Sequence, residues 1–323
     1  MPSPSSAGPW PSLPLASWRP TRDTLHMWSQ IVGKTLLARC PEQNHWWHTA
    51  FRVSPRGLAS PPAVGEGGSF DIELDLVEHR LIVRTADGRT RSMPLASRPV
   101  RTFYAEYVAL LGDLGLDVHL WTRPVEVVDP IPFDQDDVHR DYDPAWAHRF
   151  FEVLQHADAT LRRFSRSFVG KQSPVHFFWG SFDLAATRFS GRRAPERPGA
   201  DPVTREAYSH EVISFGFWPG GVAANGIAVD EPVFYAYAAP EPQGFREAAV
   251  RQPEARYDER LSELLLPYET VRTAEDPAER VLAFCEDAYV AGATLGRWDR
   301  AALERNEGAP AYGAGQQGIH PSP

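Results

Sequence analysis

TLHMWSQIVGK (24–34) and TLRRFSRSFVGK (160–171) share Thr-Leu, an aromatic residue, a serine and a closing Val-Gly-Lys, with one residue inserted in the second stretch. This pair sets the expected architecture, because the residues after each stretch also match. NHWWHTAF (44–51) resembles VHFFWGSF (175–182), SFDI (69–72) resembles SHEV (209–212), and FYAEYVALLGDLG (103–115) resembles FCEDAYVAGATLG (284–296). Four matches in one order point to two diverged copies of one unit.

The local patterns give that unit its content. Leu25, Trp28, Ile31 and Val32 recur at helical spacing, which predicts a helix over 21–38. Aromatic and β-branched residues in 44–53 predict a strand. Residues 69–95 alternate apolar and polar twice around Asp87-Gly88, a hairpin turn pair, so strands are expected near 69–77, 80–85 and 89–95. A helix over 101–116 and a strand over 117–128 close the first copy. In the second, Asp143-Pro144 and Asp276-Pro277 are N-cap and first-turn signals for helices, and strands are expected at 175–189, 209–220 and 232–240. The expected fold is α+β: two pseudo-symmetric lobes from an internal duplication, each mainly antiparallel strands packed with helices. Residues 13–128 form the first repeat, 129–142 an acidic linker and 143–300 the second repeat with inserted loops. Residues 1–12 and 301–323 are expected as disordered tails.

Composition bounds the function. A net charge of −9 argues against a nucleic-acid partner, which needs clustered cations. The two cysteines, Cys40 and Cys285, form no CxxC pair, which fits a reducing compartment. No secretory signal is visible, and no apolar run approaches the ~20 residues of a membrane span. A cytoplasmic location is the resulting expectation, with no membrane partner.

Three features can carry chemistry. The first is histidine. On a strand, His45 and His48 of HWWH point to opposite faces, so they do not form a metal pair. His45 and His176 are equivalents in the two copies and are expected to converge on a pocket between them, with His210 and Glu211 at a matched strand. That set can supply acid–base catalysis, or bind zinc, manganese or iron with Glu211 or Asp183 as oxygen ligand. The second is an Arg-rich loop over 188–205, in which Arg188 and Arg192 are expected to hold an anionic part of a small-molecule ligand. The third is the aromatic strands, with Trp47 and Trp179 as pocket walls beside Asp183. Dinucleotide, P-loop and GxSxG signatures are absent; Ser181 in FWGSFD lacks the following glycine. The leading reading is a small-molecule enzyme or ligand-binding protein with a His, aromatic and Arg pocket between the repeats. The alternative is a non-catalytic interaction protein that docks through the Arg loop.

WPSLPLASW, TLHMWSQIVGK, LARCPEQNHWWH, HFFWGSFDLAATRFSGRRAP, PGADPVTREAYSHE and FWPGG together resemble the bacterial family known as domain of unknown function 5996, over about residues 10 to 300. The resemblance implies a bacterial cytoplasmic protein and carries no catalytic residues with it.

Overall fold

The structure, a computed structural model, describes residues 10–305 except 66, 67 and 249. The expected tails therefore lie largely outside the described residues. Where they are described they pack. Trp10 is buried and stacks on His156 at 5.1 Å, while Glu304 bridges to Phe168.

The helices are α1 (Leu15–Arg39), α2 (Val100–Asp113), α3 (Pro144–Ser165), α4 (Pro202–Ala207), α5 (Tyr268–Arg272), α6 (Pro277–Leu295) and α7 (Arg300–Leu303). As their sequences suggest, α3 and α6 open on Asp143 and Asp276, whose side chains accept the free N–H groups of the first turn. The first half also holds strands β1 (Arg52–Val53), β2 (Gly57–Ala59), β3 (Ala63–Gly65), β4 (Gly68–Asp75), β5 (Arg80–Thr85) and β6 (Thr90–Pro94). They form an antiparallel sheet in the order β1-β2-β4-β5-β6, with β3 on β4. The second half holds β7 (His176–Phe178), β8 (Asp183–Arg193), β9 (His210–Trp218), β10 (Gly221–Val222), β11 (Ala228–Val229), β12 (Val233–Ala239), β13 (Arg256–Asp258) and β14 (Glu263–Pro267). Its main sheet runs β13-β14-β12-β9-β8-β7, all antiparallel, and β10 and β11 pair separately. The fold is thus α+β. In each half a long helix precedes an antiparallel sheet and a later helix.

The sheets meet at one point. Phe51, just before β1, and Phe177 in β7 exchange both backbone hydrogen bonds, at 2.9 and 2.8 Å. Both rings are buried.

Three expected strands take another form. Residues 44–46 are a 3₁₀ turn with His45 and Trp46 in the left-handed region, φ +61° and +53°. The strand argument that separated His45 from His48 therefore lapses; His48 Nδ1 instead accepts the Gln43 N–H. The strand expected over 175–189 breaks at Trp179–Phe182, where a tight turn places Phe182 at φ +61°. Residues 117–128 form no strand, because Pro124 removes a donor and the Gln30 side chain takes the place of a neighbouring strand. Its amide accepts from Val125 N–H (2.9 Å) and donates to Val125 C=O (2.7 Å). The expected linker over 129–142 is packed: Phe133 and Asp136 are fully buried, and Asp136 accepts three local hydrogen bonds.

Candidate functional site

Successive side chains of a strand point to opposite faces. One face of the second sheet, carrying Phe177, Leu184, Phe215, Phe217, Phe234 and Leu264, is buried in the main core beneath α3 and α6. The other face carries His176, Phe178, Asp183, Ala185, Gly216, Tyr235, Tyr237 and Glu263. It is covered only in part, by the 3₁₀ turn, by α4 and Tyr208, and by the 117–128 segment that Gln30 clamps to α1.

The centre of this face is built around small residues. Ala185 pairs with Gly216, and Gly216 with Tyr235. A Cβ on Gly216 would lie 2.3 Å from Tyr235 Cζ, so the Tyr235 ring lies directly over the glycine. This lets its hydroxyl reach across β9 and donate to Asp183. Ser181 Oγ donates to the other Asp183 oxygen. Asp183 is 7% exposed, and burial pushes its carboxyl above the usual range. Next to it, Tyr237 and Tyr208 share a hydroxyl–hydroxyl bond of 2.9 Å.

Two more carboxyls belong to this group. Burial, and then the nearby Asp183, push Glu126 up to about 7 and Glu263 up to about 8. Glu126 is nevertheless exposed at the surface, and Glu263 is half-buried. Glu126 Oε1 fits against Gly180, where a Cβ would come within 2.5 Å. Among the described residues no Lys or Arg pairs with Asp183, Glu126 or Glu263, and neither glutamate hydrogen-bonds to protein.

The histidines form the other end. His45 and His176 rings each lie 5.7 Å from Phe178, and Trp47 lies 5.9 Å from both. His45 also meets Tyr208 at 6.3 Å. Burial lowers His45 to about 4 and His176 to about 3, so both are neutral at pH 7. The Nδ1 atom of each is buried without a hydrogen-bond partner. Beside them an open depression of about 710 Å³ separates the 3₁₀ turn from α4, lined by residues including Asn44, Arg205 and Ser209. His45, Trp46, Glu126 and Phe182 all have positive φ, and held strain of that kind concentrates at functional sites.

Of the expected site residues, the structure brings together His45, His176, Trp47 and Asp183. It takes the others elsewhere. Arg188 is buried on the core face, its guanidinium 3.6 Å from the Phe164 ring centroid and bonded to Phe164 C=O at 2.7 Å. Arg192 is bound to Glu211 and to the Gly296 and Arg297 carbonyls after α6. His210 pairs with Arg193 at the far end of the β8–β9 ladder. Trp179 is a strut behind the cleft, donating from Nε1 to Thr49 C=O and stacking on Trp46. The pocket thus loses both arginines expected to hold an anion. Among the described residues no three of His, Cys, Asp and Glu come together as a metal site. Arg192→Ala is expected to cost about 1 kcal/mol in urea denaturation, from lost capping of α6, and to leave ligand binding in the cleft unchanged.

Tyr235 and Tyr237 were not singled out from the sequence, although FYAY on a strand puts both on one face. Glu126, Glu263 and Tyr208 carried no such signal, being brought in by an irregular segment, a distant strand and a helix end.

The fold and cleft define an α+β protein with an acidic, aromatic site on one sheet face. The chain belongs to DUF5996, a family of unknown function whose model matches residues 10–305. No curated protein and no solved structure matches it. No helix among the described residues is long and apolar enough to cross a membrane.

Proposed function

We propose that this chain is a small-molecule enzyme that works by proton transfer in the cleft between its two halves. One observation carries the reading. Asp183 is buried, fixed by Ser181 and Tyr235, and flanked by two carboxyls with no cation among the described residues to neutralise them. A cleft carboxyl that titrates near neutral pH can both give and take a proton. Glu126 and Glu263 fill that role, Asp183 and Tyr235 form the fixed polar floor, and His45 and His176 offer neutral imidazole nitrogens at the far end. The first half supplies His45, Trp47 and Glu126; the second supplies the sheet.

We further infer that the halves are diverged copies. Both present helix, antiparallel sheet and helix in that order, and the antiparallel Phe51–Phe177 pairing is what a twofold between them would produce. The resemblance and the two free cysteines support a bacterial cytoplasmic protein.

The test is a fragment screen of neutral, cationic and anionic compounds, read by the imidazole NMR signals of His45 and His176, assigned through His→Gln variants. Both rings stay neutral between pH 6 and 8, so a shift reports a ligand rather than a proton. At least one fragment class should shift both signals. If none does at millimolar concentration, this is not a ligand site.

A further inference from the structure

Ser181 stands exposed on the tight turn between β7 and β8. Its Oγ donates to Asp183, whose other carboxylate oxygen accepts from the Tyr235 hydroxyl. A hydroxyl is activated by this arrangement: a base within hydrogen-bond reach, itself oriented by a third group. The surroundings of the base set the pair apart from an ordinary turn contact. Thr85 and Asp87 share the same spacing and the same kind of bond, but Asp87 is exposed and ion-paired to Arg89 at 2.8 Å, which weakens it as a base. Asp183 is 7% exposed, and among the described residues no cation pairs with it. Burial therefore strengthens its hold on a proton.

The turn also presents a donor. His26, buried on α1, donates from Nε2 to the Gly180 carbonyl at 2.9 Å. In a planar trans peptide the N–H points opposite to the C=O, so the Ser181 N–H points away from His26. Among the described residues it has no protein acceptor. A free N–H of the nucleophile's own residue can meet an oxygen that becomes negative during attack. The turn is held firmly: Phe182 N–H donates to Phe178 C=O at 2.8 Å, and the Phe182 ring stacks on Phe150 at 5.4 Å.

From this geometry we infer that Ser181 is a nucleophile that takes up the acyl group of an uncharged ester, with Asp183 as its base. This goes beyond proton transfer by Glu126 and Glu263. Asp183 takes the Oγ proton as Oγ bonds to the ester carbonyl carbon, and the Ser181 N–H meets the oxygen that becomes negative. The bond to the leaving alcohol oxygen then breaks, and that oxygen takes the proton back from Asp183. Water repeats the steps on the acyl-serine: its proton passes through Asp183 to Ser181 Oγ, and the acid leaves. An anionic ester would meet Asp183 and the Glu126 carboxyl beside Gly180. The Arg22 guanidinium, 5.3 Å from the Phe182 ring, is already paired with Asp23 at 2.8 Å. Phe178, directly opposite Asp183 in the β7–β8 pair, gives the ester an apolar neighbour.

Incubation of the full chain with p-nitrophenyl acetate tests this. The parent should release p-nitrophenolate about a hundredfold faster than Ser181→Ala or Asp183→Asn, the scale of one well-placed base. Peptide mass mapping after an acid quench should find the acetyl group on Ser181. Ser181 is exposed, so its alanine variant should keep the fold and decides the matter even where Asp183→Asn unfolds. Equal release by the parent and Ser181→Ala, or parent-like release by a folded Asp183→Asn protein, overturns the inference. If fragments shift the His45 and His176 signals while Ser181→Ala reacts like the parent, the serine assignment falls and the cleft reading stands. If Ser181 is acylated and no fragment shifts those signals, the cleft reading falls and the serine assignment stands.

Discussion

Gly33→Ala is expected to lower the unfolding free energy by about 3 kcal/mol in urea denaturation, at the upper end for adding one methyl to a packed interior. A Cβ on Gly33 would lie 2.2 Å from the Trp179 indole. The indole cannot yield easily, because it stacks on Trp46 at 6.0 Å and donates to Thr49 C=O at 3.1 Å. The same ring holds the 3₁₀ turn that presents His45 and Trp47 to the cleft. The substitution should therefore do two things: lower stability, and shift the His45 imidazole signal in the protein that remains folded. Gly112→Ala is the control. It sits near the end of α2 with nothing within 4 Å of the added methyl, and should be neutral or slightly stabilising. Equal effects of the two substitutions would mean that helix propensity, not contact with Trp179, decides the outcome.

Gly33 also shows what the sequence could and could not reveal. The shared Val-Gly-Lys was visible in TLHMWSQIVGK and TLRRFSRSFVGK, and both glycines prove to be points of close approach, Gly33 to Trp179 and Gly170 to Leu303 and Phe168. Trp179 and Leu303 are distant in the chain, so the motif was readable and these partners were not. Regular elements were equally legible where one period dominates. The hairpin at Asp87-Gly88 and the helices opened by Asp143-Pro144 and Asp276-Pro277 lie where their patterns placed them. Reading failed where a side chain stands in for backbone. Nothing local to Val125 announces that Gln30, 95 positions away, will satisfy its N–H and C=O and so fix Glu126 beside the cleft. Charge alone misled in the Arg loop. Arg188 looked like a ligand group, but its position on β8 has the same parity as Leu184 and Ala186, which face the core. The convergence of His45 with His176 came from matching the two copies, although the local geometry assumed for His45 was a strand and is a left-handed turn.

Glu263→Gln is expected to make the protein more stable at alkaline pH, by about 1–2 kcal/mol at pH 9, and to leave it unchanged at pH 4. The sign follows from linkage. Glu263 is pushed up to about 8 from an ordinary 4.5, so the folded state holds its proton more tightly than the unfolded chain does. That preference stabilises the fold fully below pH 4.5 and is lost as pH rises through 8. The expected gain is well below what the whole shift implies, because the half-buried carboxyl is still screened by solvent. Glu126→Gln should act in the same direction and less strongly, since Glu126 is the more exposed. The acid limb has a different origin and should not move. His26, His45 and His176 are lowered by burial to about 3, 4 and 3, so stability falls as pH drops below 6.5, where the unfolded chain takes up protons that the fold refuses. Urea denaturation at pH 4, 5, 7 and 9 separates the two limbs. A Glu263→Gln protein no more stable than the parent at pH 9 would mean that burial does not hold the Glu263 proton. The expected result means that the chain keeps two acids where amides would serve its stability better. Burdens of that kind are carried where a site must meet a ligand, and Glu263 lies on the sheet face that the main core does not cover.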